Sequence, residues 1–274
     1  MRKTDLTAMG TEIRKKILLM SLESDSATHL GGGLSLVEIL TCLYGEVLNF
    51  KRDDPFWEGR DRFILSKGHG VLAYFAALNH VGMISDEELK TFMKDGSELI
   101  AHPILNLALG IESSNGSLGQ GLSLAAGMAK AAQIKNLNHS VYVLMGDGEC
   151  SEGSVWEAAQ VSSQLNLNNL TIIIDANGLQ SDGEVADGGK CEQLLLKFQS
   201  FGWDSILVDG HDISELLVAL MKSKTMSRPR CVVARTVKGK GISYMENNNS
   251  WHHARLTKAN YDLAISELEL PPNE

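Results

Sequence analysis

Five short, nearly unbroken apolar runs separated by stretches with helical spacing constrain this chain more than any other feature. They are Phe63-Ile64-Leu65, Val141 to Met145, Leu170 to Ile174, Ser205 to Val208 and Cys231 to Thr236. A strand that is apolar at consecutive positions is covered on both faces, and strands alternating with helices join as parallel neighbours. The predicted fold class is therefore α/β, a doubly wound parallel sheet flanked by helices. In such a sheet the strand ends and the loops that follow them gather along one edge, where ligands bind. Two helices are predicted ahead of the first strand. One carries Ile13, Ile17 and Met20 inward, and one from about Ser35 to Val47 carries Leu36, Ile39, Leu40 and Leu43. A glycine turn, His29-Leu30-Gly31-Gly32-Gly33, separates them, and the chain reads as one domain over 1–274 with a short acidic tail from Leu268 to Glu274.

Composition excludes several classes of function. With 43% hydrophobic and 22% charged residues in 274, the chain can bury a full core. The formal charge of -9 and scattered basic residues leave no electrostatic basis for binding nucleic acid. The start is polar from Met1 to Lys16, and Ile17-Leu18-Leu19-Met20 is too short for a signal core or a spanning helix, so no membrane and a cytoplasmic location are expected. Cys42, Cys150, Cys191 and Cys231 lie far apart without a CxxC pair, which fits reduced thiols rather than a disulfide frame or a zinc site.

The strongest local signal is Gly146-Asp147-Gly148-Glu149 directly after one apolar run, followed by a helix from about Ser154 to Gln164, another run, and Asp175-Ala176-Asn177-Gly178-Leu179. Alone, a Gly-Asp-Gly is a tight turn and Asn-Gly an ordinary turn dipeptide. Together, at the ends of strands about 4.8 Å apart, they bring Asp147 and Asn177 toward a single point. Asp147, the side-chain oxygen of Asn177 and a carbonyl near Leu179 are hard donors that suit Mg²⁺ and leave room for two diphosphate oxygens and a water. Gly146 and Gly148 remove bulk and permit positive φ, so that backbone N–H groups approach the diphosphate.

These residues resemble the thiamine diphosphate motif, a Gly-Asp-Gly followed about thirty residues later by an Asn. The resemblance sharpens to the N-terminal domain of the transketolase family and runs from His29 to about Tyr261. It is carried in order by His29 with Gly31-Gly32, Asp61 to Gly70, His102-Pro103, Gly116 to Gly121, the metal motif with Glu152-Gly153, and Lys238-Gly239-Lys240-Gly241 with Trp251-His252. It implies a thiamine diphosphate-binding fold with thiamine diphosphate and Mg²⁺ as cofactors. It further implies contacts from His29, His69, His102 and His252 to the diphosphate and the ketose donor. Gly116 and Leu118 would lie near the aminopyrimidine, and Glu152 at a subunit interface. On chemistry alone, His69 between two glycines at a strand end is open to an anion, and imidazoles around a funnel bind sugar hydroxyls and shuttle protons. His80, His139 and His211 read as packed or surface residues.

Some positions depart from the family pattern. Leu30 stands where proline is common, Ala101 where glycine is common, and His252-His253-Ala254-Arg255 replaces His-Gly-Lys-Ala. The metal motif is intact, and the drift lies at the substrate rim. The resemblance covers only the diphosphate-binding half of a transketolase. The expected protein is thus the N-terminal subunit of a split enzyme that moves a two-carbon ketol unit from a ketose to an aldehyde. Its partner would be a C-terminal subunit with the pyrimidine-binding domain, forming a heterotetramer through a homodimer contact, with sugar or sugar-phosphate substrates. The competing expectations are an α-type subunit of a 2-oxo acid dehydrogenase or carboligase, and a catalytically silent partner. Lys67 to Gly70 and Trp251-His252 favour ketol transfer.

Overall fold

The structure is a computed structural model that describes residues 3–223 and 227–269. The chain opens with α1 (Lys3–Glu23), which buries Ile13, Ile17 and Met20 as their spacing requires. After the two-residue strand β1 (Ala27–Thr28), the glycine segment expected as a turn winds into a short helix, α2 (Leu30–Leu34), fully buried. Two of its three glycines let α2 pass close to neighbouring chain: a Cβ on Gly31 would lie 3.1 Å from the Trp251 carbonyl oxygen, and one on Gly32 3.2 Å from the His69 ring. The next predicted helix is split into α3 (Val37–Cys42) and a π-helical turn from Leu43 to Val47. Leu36, Ile39, Leu40 and Leu43 all face inward.

The sheet then builds up by alternation. In order come β2 (Arg62–Leu65), α4 (Val71–His80), α5 (Asp86–Leu89), α6 (Gly121–Ile134) and β3 (Val141–Gly146). They are followed by α7 (Gly153–Gln164), β4 (Leu170–Ala176), α8 (Cys191–Ser200), β5 (Asp204–Asp209), α9 (Ile213–Ser223) and β6 (Arg230–Arg235). The chain ends in β7 (Ala254–Arg255), which pairs with β1, and α10 (Lys258–Glu269). The expected acidic tail therefore starts as the last turn of a helix, with Leu268 packed on the core, while residues 270–274 lie outside the described residues.

All neighbours in the sheet are parallel, in the order β2-β3-β4-β6-β5. Both faces are covered, as continuous apolar strands demand. On β3, Tyr142 and Leu144 join the cluster under α1, α3, α4 and α9, while Val141, Val143 and Met145 join the one under α6, α7 and α8. The C-terminal ends of β2, β3, β4 and β6 are adjacent, so the segments after them, Lys67 to Gly70, Asp147 to Ser151, Asn177 to Ser181 and Thr236 to Lys238, meet along one edge. No helix among the described residues is long and apolar enough to cross a membrane. All four cysteines are free.

Candidate active site

Those segments line a cavity of about 410 Å³, together with His29, His102, Gly116, Leu118, Glu152 and His252. Every site residue singled out from the sequence borders it: His29, His69, His102, Gly116, Leu118, Gly146, Asp147, Gly148, Asn177, Leu179 and His252. Its size lies within the range of about 300–1,000 Å³ typical of small-molecule sites.

One wall gathers oxygen groups and backbone N–H groups from the ends of β3 and β4. The register aligns Gly146 with Asp175, which carries Asp147 and Asn177 past the ends of adjacent strands. Asp147 accepts N–H groups from Gly148 at 2.7 Å and Gly178 at 2.6 Å. Burial and the nearby Asp175 charge push its carboxyl up to about 6, so a bound cation is the natural complement that would hold it ionised. Asn177 donates from Nδ2 to Asp175 Oδ2 at 2.9 Å, and its Oδ1 accepts the Leu179 N–H at 3.0 Å. The Leu179 carbonyl faces a cationic group in this structure: Lys238 Nζ donates to it at 3.5 Å and to the Gln180 carbonyl at 3.3 Å. Carboxylate, amide oxygen and carbonyl form a hard, oxygen-only donor set that fits Mg²⁺. No group of three or more His, Cys, Asp or Glu side chains is arranged for a metal among the described residues. A cation here would therefore draw further ligands from diphosphate and water.

Gly148 acts by absence of bulk, whereas a Cβ on Gly146 would come no closer than 3.9 Å to a neighbour. Neither Gly146 nor Gly148 has positive φ, contrary to expectation. A Cβ on Gly148 would lie 3.1 Å from that of Gln180. Positive φ is found instead at Gly178 and at Gly119, where a Cβ would come within 2.6 Å of Glu152. That approach holds the Gly116 to Gly121 segment against the start of α7, with Ser154 Oγ donating to the Gly119 carbonyl at 3.0 Å.

The other wall is a cluster of imidazoles centred on His29. Its ring lies 5.5 Å from that of His69, 6.3 Å from His102, 5.3 Å from His252 and 4.6 Å from His253. Burial and neighbouring positive charge hold three of them neutral near pH 7, with His29 and His252 lowered to about 4 and His69 to about 2. Neutral rings offer one donor and one acceptor each, which suits hydroxyls and proton exchange rather than anion binding by charge. His80 and His139 lie outside the cluster, as does His211, which bridges Glu38 and the Val237 N–H.

The structure adds residues that the sequence reading did not single out. Lys67 and Asp175 form an ion pair at 2.5 Å with side-chain exposures of 1% and 0%. Glu149, also buried, accepts N–H groups from Gly119 at 2.9 Å and Gly146 at 3.1 Å together with the Ser66 hydroxyl, joining three segments of the site. Burial lowers Lys238 to about 8, with the Lys67 charge adding to the effect. A detectable signal exists for each: the lysines and Glu149 sit inside glycine-bearing motifs, and Asp175 ends an otherwise apolar run.

Residues 11–274 match the family described as the transketolase thiamine diphosphate binding domain. The chain belongs to the transketolase family. It is 38% identical over 261 residues to one of the subunits of the apulose-4-phosphate transketolase of Phocaeicola vulgatus, an alignment covering 95% of this chain and 92% of that one. It is 36% identical over 269 residues to a 6-deoxy-6-sulfo-D-fructose transketolase subunit of a Clostridium species, covering 98% of both. Against human transketolase the identity is 35% over 257 residues, and the match takes in 92% of this chain but only 41% of the human one. The solved transketolase of Campylobacter jejuni superposes with a TM-score of 0.88 at 27% identity, covering all of this chain and 44% of that structure. The chain thus spans less than half of the full-length transketolases and nearly all of the subunits.

Proposed function

We propose that this chain is the diphosphate-binding subunit of a two-subunit transketolase, acting in the cytoplasm with thiamine diphosphate and Mg²⁺. The carrying observation is a single cavity with an oxygen-donor wall of Asp147, Asn177 and Leu179 facing an imidazole wall of His29, His69, His102 and His252. When bound, thiamine diphosphate supplies a nucleophilic carbon that takes up a two-carbon ketol unit from a ketose and passes it to an aldehyde. Asp147, Asn177 and the Leu179 carbonyl would hold the cation that neutralises the diphosphate, and the Gly148 segment would let it approach.

The residues of the imidazole wall orient the sugar and move protons. A ring that is neutral at pH 7 can take a hydroxyl proton as the bond between the second and third donor carbons breaks, and return it to the acceptor oxygen. His252 is set up to donate a hydrogen bond to a substrate oxygen and not to take its proton, since Lys238 donates to its Nδ1 at 2.7 Å and leaves the proton on Nε2. The exposed His253, which packs on His29, would meet the sugar atoms beyond the transferred unit.

Support for the split arrangement comes from the match to subunits along nearly their whole length, with a second polypeptide supplying the pyrimidine-binding side. Exposed Gly116, Ile104 and Leu105 beside His102 offer a surface for that partner to cover, and two copies of each chain would form the assembly. The test is an assay of ketol transfer from a ketose phosphate to an aldehyde by this chain mixed with a pyrimidine-binding partner, with and without thiamine diphosphate. Cofactor-dependent transfer is expected, and its absence across a panel of sugars and sugar phosphates sinks the proposal.

A further inference from the structure

Asp175 is wholly buried at the end of β4, yet four side chains converge on its carboxylate. Ser35 Oγ at 2.7 Å, Lys67 Nζ at 2.5 Å and Asn177 Nδ2 at 2.9 Å donate to Oδ2, and the Thr236 hydroxyl donates to Oδ1. These donors come from the end of α2 and from the segments after β2, β4 and β6. A buried ion pair is weak grounds for stability, because desolvation consumes much of what the attraction returns. A site-related reason for it lies in Asn177. An amide presents either its oxygen or its NH₂, and only the oxygen can ligate a hard cation. Opposite Asp175 Oδ2, which already accepts from Ser35 and Lys67, the NH₂ end must face inward. The Leu179 N–H donating to Oδ1 requires the same orientation, and a flipped amide would set oxygen against oxygen and N–H against N–H.

We propose that Asp175, anchored by Ser35, Lys67 and Thr236, is the positioning residue that turns the Asn177 oxygen toward the bound cation. This rests on the reading of Asp147 and Asn177 as cation ligands. A carboxylate at position 177 would have an oxygen at both ends and need no orienting partner. Beside Asp175, however, it would meet a like charge. The effect of N177D must therefore change sign with its surroundings, which a merely structural role for Asp175 does not predict.

The experiment measures Mn²⁺ affinity of the full chain with inorganic diphosphate by electron paramagnetic resonance, alongside melting temperature. D147A should abolish binding, and D147A at wild-type affinity would overturn both the cation-site reading and this inference. The charge-free pair K67M/D175L should bind Mn²⁺ at least about tenfold more weakly, the scale of losing an outer ligand-orienting group. Adding N177D to that pair should restore most of the loss, whereas N177D alone should weaken binding. Wild-type affinity in K67M/D175L, or stronger binding by N177D in both backgrounds, overturns the proposal with the cation site left standing. Should K67M/D175L fail to fold, N177D alone decides: weaker binding supports the inference, and stronger binding refutes it.

Discussion

Lys238 donates from Nζ to His252 Nδ1 at 2.7 Å, which fixes the tautomer of an imidazole on the cavity wall. An ammonium has no acceptor, so Nδ1 must carry the lone pair and Nε2 the proton. K238M removes that control while keeping the buried stem. The expected result is loss of the single His252 tautomer in ¹⁵N NMR of the ring, with the fold intact by circular dichroism. An unchanged tautomer would show that Lys238 does not set it.

Asp147 is the one carboxylate among the expected cation ligands, so its removal should matter most. D147A is expected to lower thiamine diphosphate affinity of the assembled enzyme by about 10- to 100-fold at saturating Mg²⁺, corresponding to roughly 1.5–3 kcal/mol for a charged partner. Calorimetry reads this directly. Wild-type affinity in D147A would remove Asp147 from the cofactor's metal site.

Protonation of the imidazole wall should couple to folding. The unfolded histidines titrate at their ordinary value of 6.5, whereas His29 and His252 are lowered to about 4 by burial first and by neighbouring positive charge second. Below 6.5 the unfolded chain therefore binds more protons, and stability falls as pH drops, levelling off only below about 4. Thermal melts between pH 7.5 and 5.0 should show a shallower pH dependence for H29N/H252N than for wild type. Parallel curves would mean that neither ring is shielded as the structure shows.

The sheet was legible because each strand advertises burial on both faces, and Val141 to Met145 and Leu170 to Ile174 fall inside β3 and β4. The meeting of Asp147 and Asn177 was legible for a related reason: they follow adjacent strands directly, so topology alone brings them together. His29 to Gly33 misled because glycine lowers helix propensity, and only tertiary contact shows what favours two of the three here: Gly31 and Gly32 pass tightly against Trp251 and His69. The Lys67–Asp175 pair was hidden because its partners lie 108 positions apart. Of the two reasons the sequence offers for Gly146 and Gly148, absence of bulk is found at Gly148 and positive φ at neither.

His253 sits where the family pattern has glycine, and its ring lies 4.6 Å from that of His29. A sugar emerging from the cavity would meet it after the two transferred carbons. H253G should raise KM for a long acceptor such as an aldose phosphate by about five- to tenfold, the worth of one hydrogen bond of about 1 kcal/mol. Glycolaldehyde, which ends before that point, should keep its KM, and cofactor affinity should not move. Equal effects on both acceptors would place His253 outside substrate recognition.

The last expectation concerns the open rim of the cavity. Gly116 and Glu152 on its rim are exposed, and so are Ile104 and Leu105 beside His102. A cofactor held only through its diphosphate by Asp147, Asn177 and the Gly148 segment would keep its ring system free to turn. Ketol transfer needs that ring fixed against the imidazole wall and its aminopyrimidine activated by a carboxylate. Orientation of reacting groups is worth roughly 7–11 kcal/mol of barrier, so a site lacking one wall should turn over slower by five or more orders of magnitude, about the limit of detection. The measurement compares this chain alone, its pyrimidine-binding partner alone and the two mixed, at equal concentrations with thiamine diphosphate and Mg²⁺. Activity is expected only in the mixture, with a stoichiometry of one to one by light scattering. Robust cofactor-dependent turnover by this chain alone would mean that it carries its own activating carboxylate, and the two-subunit reading would have to be abandoned.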